Sequence, residues 1–275
     1  MPLFHVIILA IVQGLSEFLP VSSSGHLILT HHLLGDGGDM WGDNMTMDIA
    51  VHVGTLVAIV IYCWKDLMAM LQGCVRVATG KAKDKNEVRL VGFLIVASIP
   101  VLALGLVFHI LEPAWARSLP VAAWSLIIFG ILLGIADKFM PAVRTVETMT
   151  WKDAIIVGFA QMLALIPGTS RSGITMTAAR GLGFSRVEAA RFSFLLAVIS
   201  VSGAGAIGVL ELFQNPSAAL LFDMTIGAAV SCVAALLAMH VLMKWLVNHS
   251  FMPFVIYRVL LGILLLVLMQ QGILA

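Results

Sequence analysis

Charge is what this chain has least of. Asp, Glu, Lys and Arg make up 11% of its 275 residues, under half the roughly 25% of a soluble domain. Hydrophobic residues make up 60% and mean hydropathy is +1.04, so the chain reads as an integral membrane protein. Neither sign is in excess: 16 Lys and Arg against 15 Asp and Glu leave a formal charge of +1. That is too little basic charge to hold a nucleic-acid backbone, which excludes nucleic acid as a partner. Cysteine is scarce as well, and Cys63, Cys74 and Cys232 show no C-x-x-C or other ligand-like spacing, so they read as packing residues. Met1 to His5 lack the basic stretch that opens a signal peptide, and no small-residue cleavage site follows; the segment is expected to stay in the mature protein. No Ser/Pro-rich or charged linker long enough to divide the chain is present, and a single membrane domain over 1–275 is expected.

What is abundant is apolar sequence in stretches near the about 20 residues needed to cross a bilayer. Six read as spans: Ile49 to Trp64, Leu90 to Leu111, Ser118 to Ala136, Phe192 to Leu210, Met224 to Met243 and Pro253 to Leu274. Two more are broken at their centres, Leu3 to Leu34 by Glu17 and Pro20, and Ala154 to Leu182 by Pro167, Gly168 and Arg171. Exposed backbone is not tolerated in lipid, so both breaks must be buried in protein or line a wet cavity, and both stretches read as re-entrant helical hairpins. The loop carrying Lys65, Arg76, Lys81, Lys83, Lys85 and Arg89 is expected to be cytoplasmic. Counting onward puts Lys138, Arg144, Lys152, Arg180, Arg186, Arg191 and Lys244 on that side. Asp36, Asp39, Asp43, Glu112, Glu211 and Asp223 fall opposite, with Arg117 as the exception. Each hairpin is then followed by three spans, an odd number, so the two halves are inverted. At an offset of 148, Gln13, Leu15, Ser22, Ser24 and Gly25 recur as Gln161, Leu163, Ser170, Ser172 and Gly173. The expectation is an all-α membrane fold of six transmembrane helices and two hairpins, an inverted repeat of about 3–137 and 151–275. Such breaks tend to meet near the midplane with half-helix N-termini directed at an anionic ligand.

The first break places Gln13 and Glu17 one turn apart on a helix stopped near Pro20, followed by Ser22, Ser23, Ser24, Gly25 and His26. The second runs Pro167-Gly168-Thr169-Ser170-Arg171-Ser172-Gly173-Ile174-Thr175. A helix start, several hydroxyls and an arginine fork suit a phosphate ester. A serine-rich break can also serve helix packing alone, and Glu17 and Arg171 can form a purely structural ion pair. Charges at membrane depth cost about 2.5–3.5 kcal/mol, however, and a functional role is the default for both. His26, close to Ser23 and a carboxylate, can act as base, acid or nucleophile. His52 and His109 lack a polar companion nearby in sequence and are assigned no chemistry; His31 reads as interfacial, and Arg180 and Arg186 as snorkelling side chains.

These residues carry a resemblance. The chain resembles the undecaprenyl-diphosphatase family of bacterial membrane enzymes associated with bacitracin resistance. The family's E/Q-x-x-x-E motif stands as Gln13 to Glu17, its L-P-V-S-S-S/T-G-H segment as Leu19 to His26, and its P-G-x-S-R-S-x-x-T segment as Pro167 to Thr175. The segment from Phe192 to Ala197 is similar too. Many members have Glu where this chain has Gln13, which removes one carboxylate. The resemblance implies hydrolysis of undecaprenyl diphosphate to undecaprenyl phosphate and inorganic phosphate, recycling the lipid carrier for peptidoglycan and influencing bacitracin resistance. It implies catalytic roles for Glu17, Ser23, His26 and Arg171. Arg171 would hold the diphosphate; Glu17 would ligate a divalent cation or act as base; Ser23 would be the nucleophile, with His26 or water as alternatives. Ser22, Ser24, Ser170, Ser172, Thr175 and Gln13 would bind or orient phosphates. The cation expected is Mg²⁺, with Ca²⁺ as the alternative, on Glu17 together with substrate oxygens. The resemblance further implies a multi-pass protein of the bacterial inner membrane, its site opening to the periplasm, and leaves a homodimer open.

Rival readings use the same residues. Inverted repeats with two broken hairpins are also a transport architecture, and a lipid-phosphate flippase would want the same anion site. Ser24-Gly25-His26 matches the S-G-H triplet of the phosphatidic-acid phosphatase superfamily, but Thr177 and Phe192 stand where that superfamily has His after Ser-Arg. An intramembrane serine protease would have no use for Arg171.

Overall fold

The computed structural model describes residues 2–35, 43–80, 86–111, 115, 118–212 and 218–274. Asp36, Asp39, Lys81, Lys83, Lys85, Glu112 and Arg117 lie outside the described residues, as do the side chains of Asp43 and Glu211. The elements are α-helical: α1 (Leu3–Phe18), α2 (Ser23–Leu33), α3 (Asp43–Tyr62), α4 (Trp64–Ala78), α5 (Asn86–Leu111) and α6 (Leu119–Phe139), followed by α7 (Trp151–Met162), α8 (Arg171–Gly181), α9 (Arg186–Leu212), α10 (Ala218–Asn248) and α11 (Met252–Gln270). Among the described residues four segments are long and apolar enough to cross a membrane: Val88–Leu111, Leu119–Phe139, Leu221–Asn248 and Met252–Gln270. The segment read as a span from Ile49 to Trp64 does not run on straight. At Cys63 the helix axis turns by 70° into α4, and the pair Met47–Tyr62 and Trp64–Ala78 makes a fifth crossing only if the two are counted together.

The two broken stretches fold as helix pairs, α1 with α2 and α7 with α8. α1 lies chiefly along α10 and α7 along α5, so each hairpin is clasped by a long helix from the other part of the chain. These contacts run through small residues, as expected where lipid supplies no hydrophobic drive and backbones must approach closely. A Cβ on Gly14 would fall 2.5 Å from Ser231 O and one on Gly158 2.9 Å from Ala97 O, and α3 meets α10 in the same way, a Cβ on Gly54 falling 2.2 Å from Ala228 O. The seams also carry hydrogen bonds: Ser231 Oγ donates to Val51 O at 2.9 Å and Gln161 Nε2 to Ala97 O at 3.0 Å.

One end of the bundle is pinned by charge. Asp137 accepts from Arg180 Nε at 3.1 Å, Arg186 Nε at 2.7 Å and Phe251 N at 3.0 Å. Arg144 pairs with Asp153, which also closes the capping box that starts α7 with Thr150. Arg191 pairs with Asp66 across α9 and α4. Arg180 therefore does not snorkel. It is fully buried and donates to the carbonyls of Asp137, Met140, Pro141 and Phe184, satisfying the chain that leaves α6 and the turn that ends α8. A fork with five donors does this where a lysine could not.

Replacing Gly54 by leucine should force α3 from α10 and destabilise the protein by about 1–3 kcal/mol or more. Thermal unfolding in detergent, read against Ser202→Leu on α9, checks this; an unchanged midpoint for Gly54→Leu would contradict the close seam.

Candidate active site

Both hairpins turn by the same local device. α1 ends at Phe18, and Leu19 is extended ahead of Pro20. α7 passes through a short 3₁₀ turn at Leu163–Leu165, and Ile166 is extended ahead of Pro167, as the residue before a proline tends to be. Ser22 (φ 76) and Ser170 (φ 71) are the non-glycine residues with positive φ among the described residues. Such a conformation costs of order 1–3 kcal/mol and persists only where the surroundings impose it. Each serine is the N-cap of the helix that follows. Ser22 Oγ accepts from Gly25 N at 3.4 Å and lies 3.2 Å from Ser24 Oγ; Ser170 Oγ accepts from Gly173 N at 3.0 Å and lies 3.1 Å from Ser172 Oγ. Gly168 has φ +83 and no room for a side chain, since a Cβ there would lie 2.1 Å from Ala122 O.

Arg258 holds the two breaks together. Fully buried on α11, it donates to Thr169 O at 2.8 Å, Gly168 O at 3.1 Å and Pro20 O at 3.4 Å, and reaches Leu126 O and Ser125 O on α6. Carbonyls left by broken helices inside an apolar bundle need donors, and one guanidinium serves both hairpins.

Held this way, α2 and α8 begin side by side, and their first residues, Ser23 and Arg171, meet at Glu17. Glu17 Oε2 accepts from Ser23 Oγ at 2.7 Å and from Gln13 Nε2 at 2.9 Å, while Oε1 accepts from Arg171 Nη2 at 2.8 Å. The ion pair joins residues 154 positions apart. A cavity of about 450 Å³ opens on this cluster, with Glu17, Ser22, Ser23, Ser24, Ser170 and Arg171 on its polar side. Val101, Leu165 and Val201 make up part of its apolar side. Arg171 Nη1 and Thr169 Oγ1 are buried and have no partner among the described residues. A guanidinium that spends one nitrogen on Glu17 and leaves the other unbonded retains donors for an anion, beside two helix N-termini whose dipoles favour negative charge.

The structure thus brings Gln13, Glu17, Ser22, Ser23, Ser24, Ser170 and Arg171 to one place. Ser172 and Thr175 are buried behind it. Ser172 Oγ bonds Leu19 O at 2.9 Å, tying the two breaks, and Thr175 Oγ1 bonds Arg171 O and Ser193 Oγ. His26 is not among the residues lining the cavity. Its Nδ1 lies 2.6 Å from Ser22 O, and its Nε2 lies 2.6 Å from the hydroxyl of Tyr257, which stacks on the ring. A carbonyl only accepts, so Nδ1 carries the proton, and in the neutral ring Nε2 accepts from Tyr257.

Sequence reasoning passed over Arg258, Tyr257 and, most consequentially, His52. His52 Nε2 lies 3.9 Å from Glu17 Oε2, and His52 and Asp48 line the cavity from α3. The i, i+4 spacing of Asp48 and His52 was the available signal. His31, read as interfacial, is buried with Nε2 3.0 Å from Asp48 Oδ1. For a cation, Glu17 is a donor with room: a carboxylate offers about four acceptor sites, and three are taken by Gln13, Ser23 and Arg171. Among the described residues no group of three or more His, Cys, Asp or Glu is placed to hold a metal ion. An ion bound at Glu17 would therefore draw most of its ligands from substrate and water, which suits Mg²⁺.

Arg258→Met should leave the carbonyls of Pro20, Gly168 and Thr169 without this donor, at about 1–3 kcal/mol each. Thermal unfolding in detergent should show a loss of at least about 3 kcal/mol, and a near-neutral result would deny Arg258 its role in joining the hairpins.

Residues 6–264 match the family described as Bacitracin resistance protein BacA. The chain is 42% identical over 268 residues to an undecaprenyl-diphosphatase of Roseobacter denitrificans, covering 97% of this chain and 98% of the relative. It is 44% identical over 270 residues to one from Dinoroseobacter shibae, covering 98% and 99%. Undecaprenyl-diphosphatase 1 of Rhodospirillum rubrum is 41% identical over 275 residues, covering 99% and 97%. With a match that runs through both hairpins and the helices that clasp them, the chain belongs to the bacitracin-resistance BacA family.

Proposed function

We propose that this chain hydrolyses undecaprenyl diphosphate to undecaprenyl phosphate and inorganic phosphate, recycling the lipid carrier used for cell-wall glycans. The observation that carries this reading is the meeting of Glu17, Ser23 and Arg171 at one cavity, with Arg171 Nη1 unbonded among the described residues. Relatives named undecaprenyl-diphosphatase align over nearly the whole chain.

The terminal phosphate sits against Arg171 and the starts of α2 and α8, oriented by Ser22, Ser24 and Ser170, while the prenyl chain leaves along the apolar side. Glu17 Oε2 takes the proton of Ser23 Oγ, which attacks the terminal phosphorus as undecaprenyl phosphate departs. Water then hydrolyses the phosphoserine and releases inorganic phosphate. Arg171 supplies fixed positive charge where charge accumulates on the transferring group. Glu17 and substrate oxygens would hold Mg²⁺, which neutralises phosphate charge when bound. Ser172 and Thr175 act from behind by holding α8 in place. His26 fixes the first hairpin through Ser22 O and Tyr257.

The membrane arrangement belongs to the same proposal: α3, α5, α6, α9, α10 and α11 cross, and α1–α2 and α7–α8 re-enter as two inverted halves. Support comes from the matched φ and capping at Ser22 and Ser170, and from α9, whose 27 residues exceed the bilayer core. The gathering of Arg144, Arg180, Arg186 and Arg191 with their acids at one end supports a cytoplasmic face there. The cavity then opens to the periplasm of a bacterial inner membrane.

Detergent-purified protein should release phosphate from undecaprenyl diphosphate, and EDTA should suppress the release until Mg²⁺ is restored. Arg171→Ala and Glu17→Ala should each lower the rate by on the order of 10²–10³-fold or more while remaining folded. No release from folded wild type across lipid diphosphates would favour the flippase, which needs no hydrolysis. Rapid acid quench with labelled substrate should trap an acid-stable phosphoserine that is absent in Ser23→Ala; an acid-labile label would point to His26, and no label to direct attack by water.

A further inference from the structure

We infer that His52 Nε2 is a second protein donor to the divalent cation, paired with Glu17; this rests on the reading of Glu17 as a cation ligand. The ring is set for the task by its other nitrogen. His52 Nδ1 lies 2.6 Å from Asp48 O, and because a carbonyl only accepts, Nδ1 holds the proton, which in the neutral ring leaves Nε2 with the lone pair. Donation of the remote N–H to a backbone carbonyl is the usual outer-shell arrangement of a metal-binding histidine.

Position agrees with this tautomer. Nε2 lies 3.9 Å from Glu17 Oε2, and both residues line the same cavity; an ion shared between them would replace one of the two hydrogen bonds that Oε2 accepts from Ser23 and Gln13. Donors that bind at about 2.0–2.2 Å can share one ion at separations up to about 4.3 Å. Neighbouring histidines are engaged otherwise: His26 has both ring nitrogens in hydrogen bonds, and His31 Nε2 lies against Asp48 Oδ1. Gln13 turns its amide N–H to Glu17 and adds no anionic donor. A nitrogen ligand beside a carboxylate also moves affinity from Mg²⁺ toward Mn²⁺ and later first-row ions, which an all-oxygen site does less strongly.

Mn²⁺, with methylenediphosphonate as the phosphate anion, is the probe. Electron spin echo spectra of the full-length protein in detergent should show modulation from a directly bound ¹⁴N nucleus. In wild type grown on ¹⁵N-histidine the modulation should shift to ¹⁵N frequencies, a readout that needs no variant. His52→Ala and His52→Gln, with unchanged circular dichroism, should lose the modulation and bind Mn²⁺ at least on the order of tenfold more weakly. Modulation that survives in both variants assigns a different histidine and overturns the inference. Absence of nitrogen modulation in wild type, with Mn²⁺ binding lost in Glu17→Gln, overturns His52 and leaves Glu17 as a ligand. Binding indifferent to Glu17→Gln, or no binding by wild type, overturns both.

Discussion

Two helices broken side by side inside an apolar bundle present carbonyls and amides that lipid cannot satisfy, and most of this structure can be understood as the answer to that constraint. Ser22 and Ser170 adopt a strained positive φ so that each can cap the helix it precedes. Arg258 satisfies carbonyls from both breaks through one guanidinium. Ser172 crosses from the second break to Leu19 in the first. Because these donors are shared, the hairpins hold each other in register, and neither break is satisfied without the other.

The same breaks create the site. Unwinding the chain at Pro20 and Pro167 exposes two helix N-termini at one point, and the residues that open those helices project into one cavity. Ser23 and Arg171 stand at equivalent places, each directly after a capping serine, yet one offers a hydroxyl and the other a fixed cation. Glu17 receives both. An anion site built from equivalent helix starts needs one position of each kind, a group that can react and a group that can hold charge. The pins at Asp137, Asp153 and Asp66 lie at the far end of the bundle, where they fix α7, α8 and α9 without entering the cavity.

Much of this was legible in the sequence because breaks in apolar runs are local events. Pro20 and Pro167 each stand beside a Gly/Ser run and an isolated ionisable residue in an otherwise apolar stretch, and together these mark a break, unlike Pro100, which α5 carries through without one. The two breaks and the hydroxyl-rich helix starts follow from those facts, whereas the ion pair of Glu17 with Arg171 stands in the sequence only as the rival, structural reading. The bend at Cys63 was less visible, because the apolar run from Ile49 to Trp64 continues up to the bend and the polar residues of α4 read equally well as a loop.

By itself, the sequence determined that the chain is helical and membrane-embedded, that two of its apolar stretches break near Pro20 and Pro167, and which ionisable residues stand at those two breaks. These are properties of hydropathy, proline geometry and the cost of burying charge, all of which act over a few residues. Tertiary structure alone decided which side chains face one another. It turned His52 toward Glu17 and His26 toward Tyr257, buried Arg180 and Arg258 among carbonyls, and placed Thr175 against Ser193 behind the cavity. Those outcomes depend on which helix lies across each face, through contacts between residues far apart in the chain, and no local pattern encodes that choice.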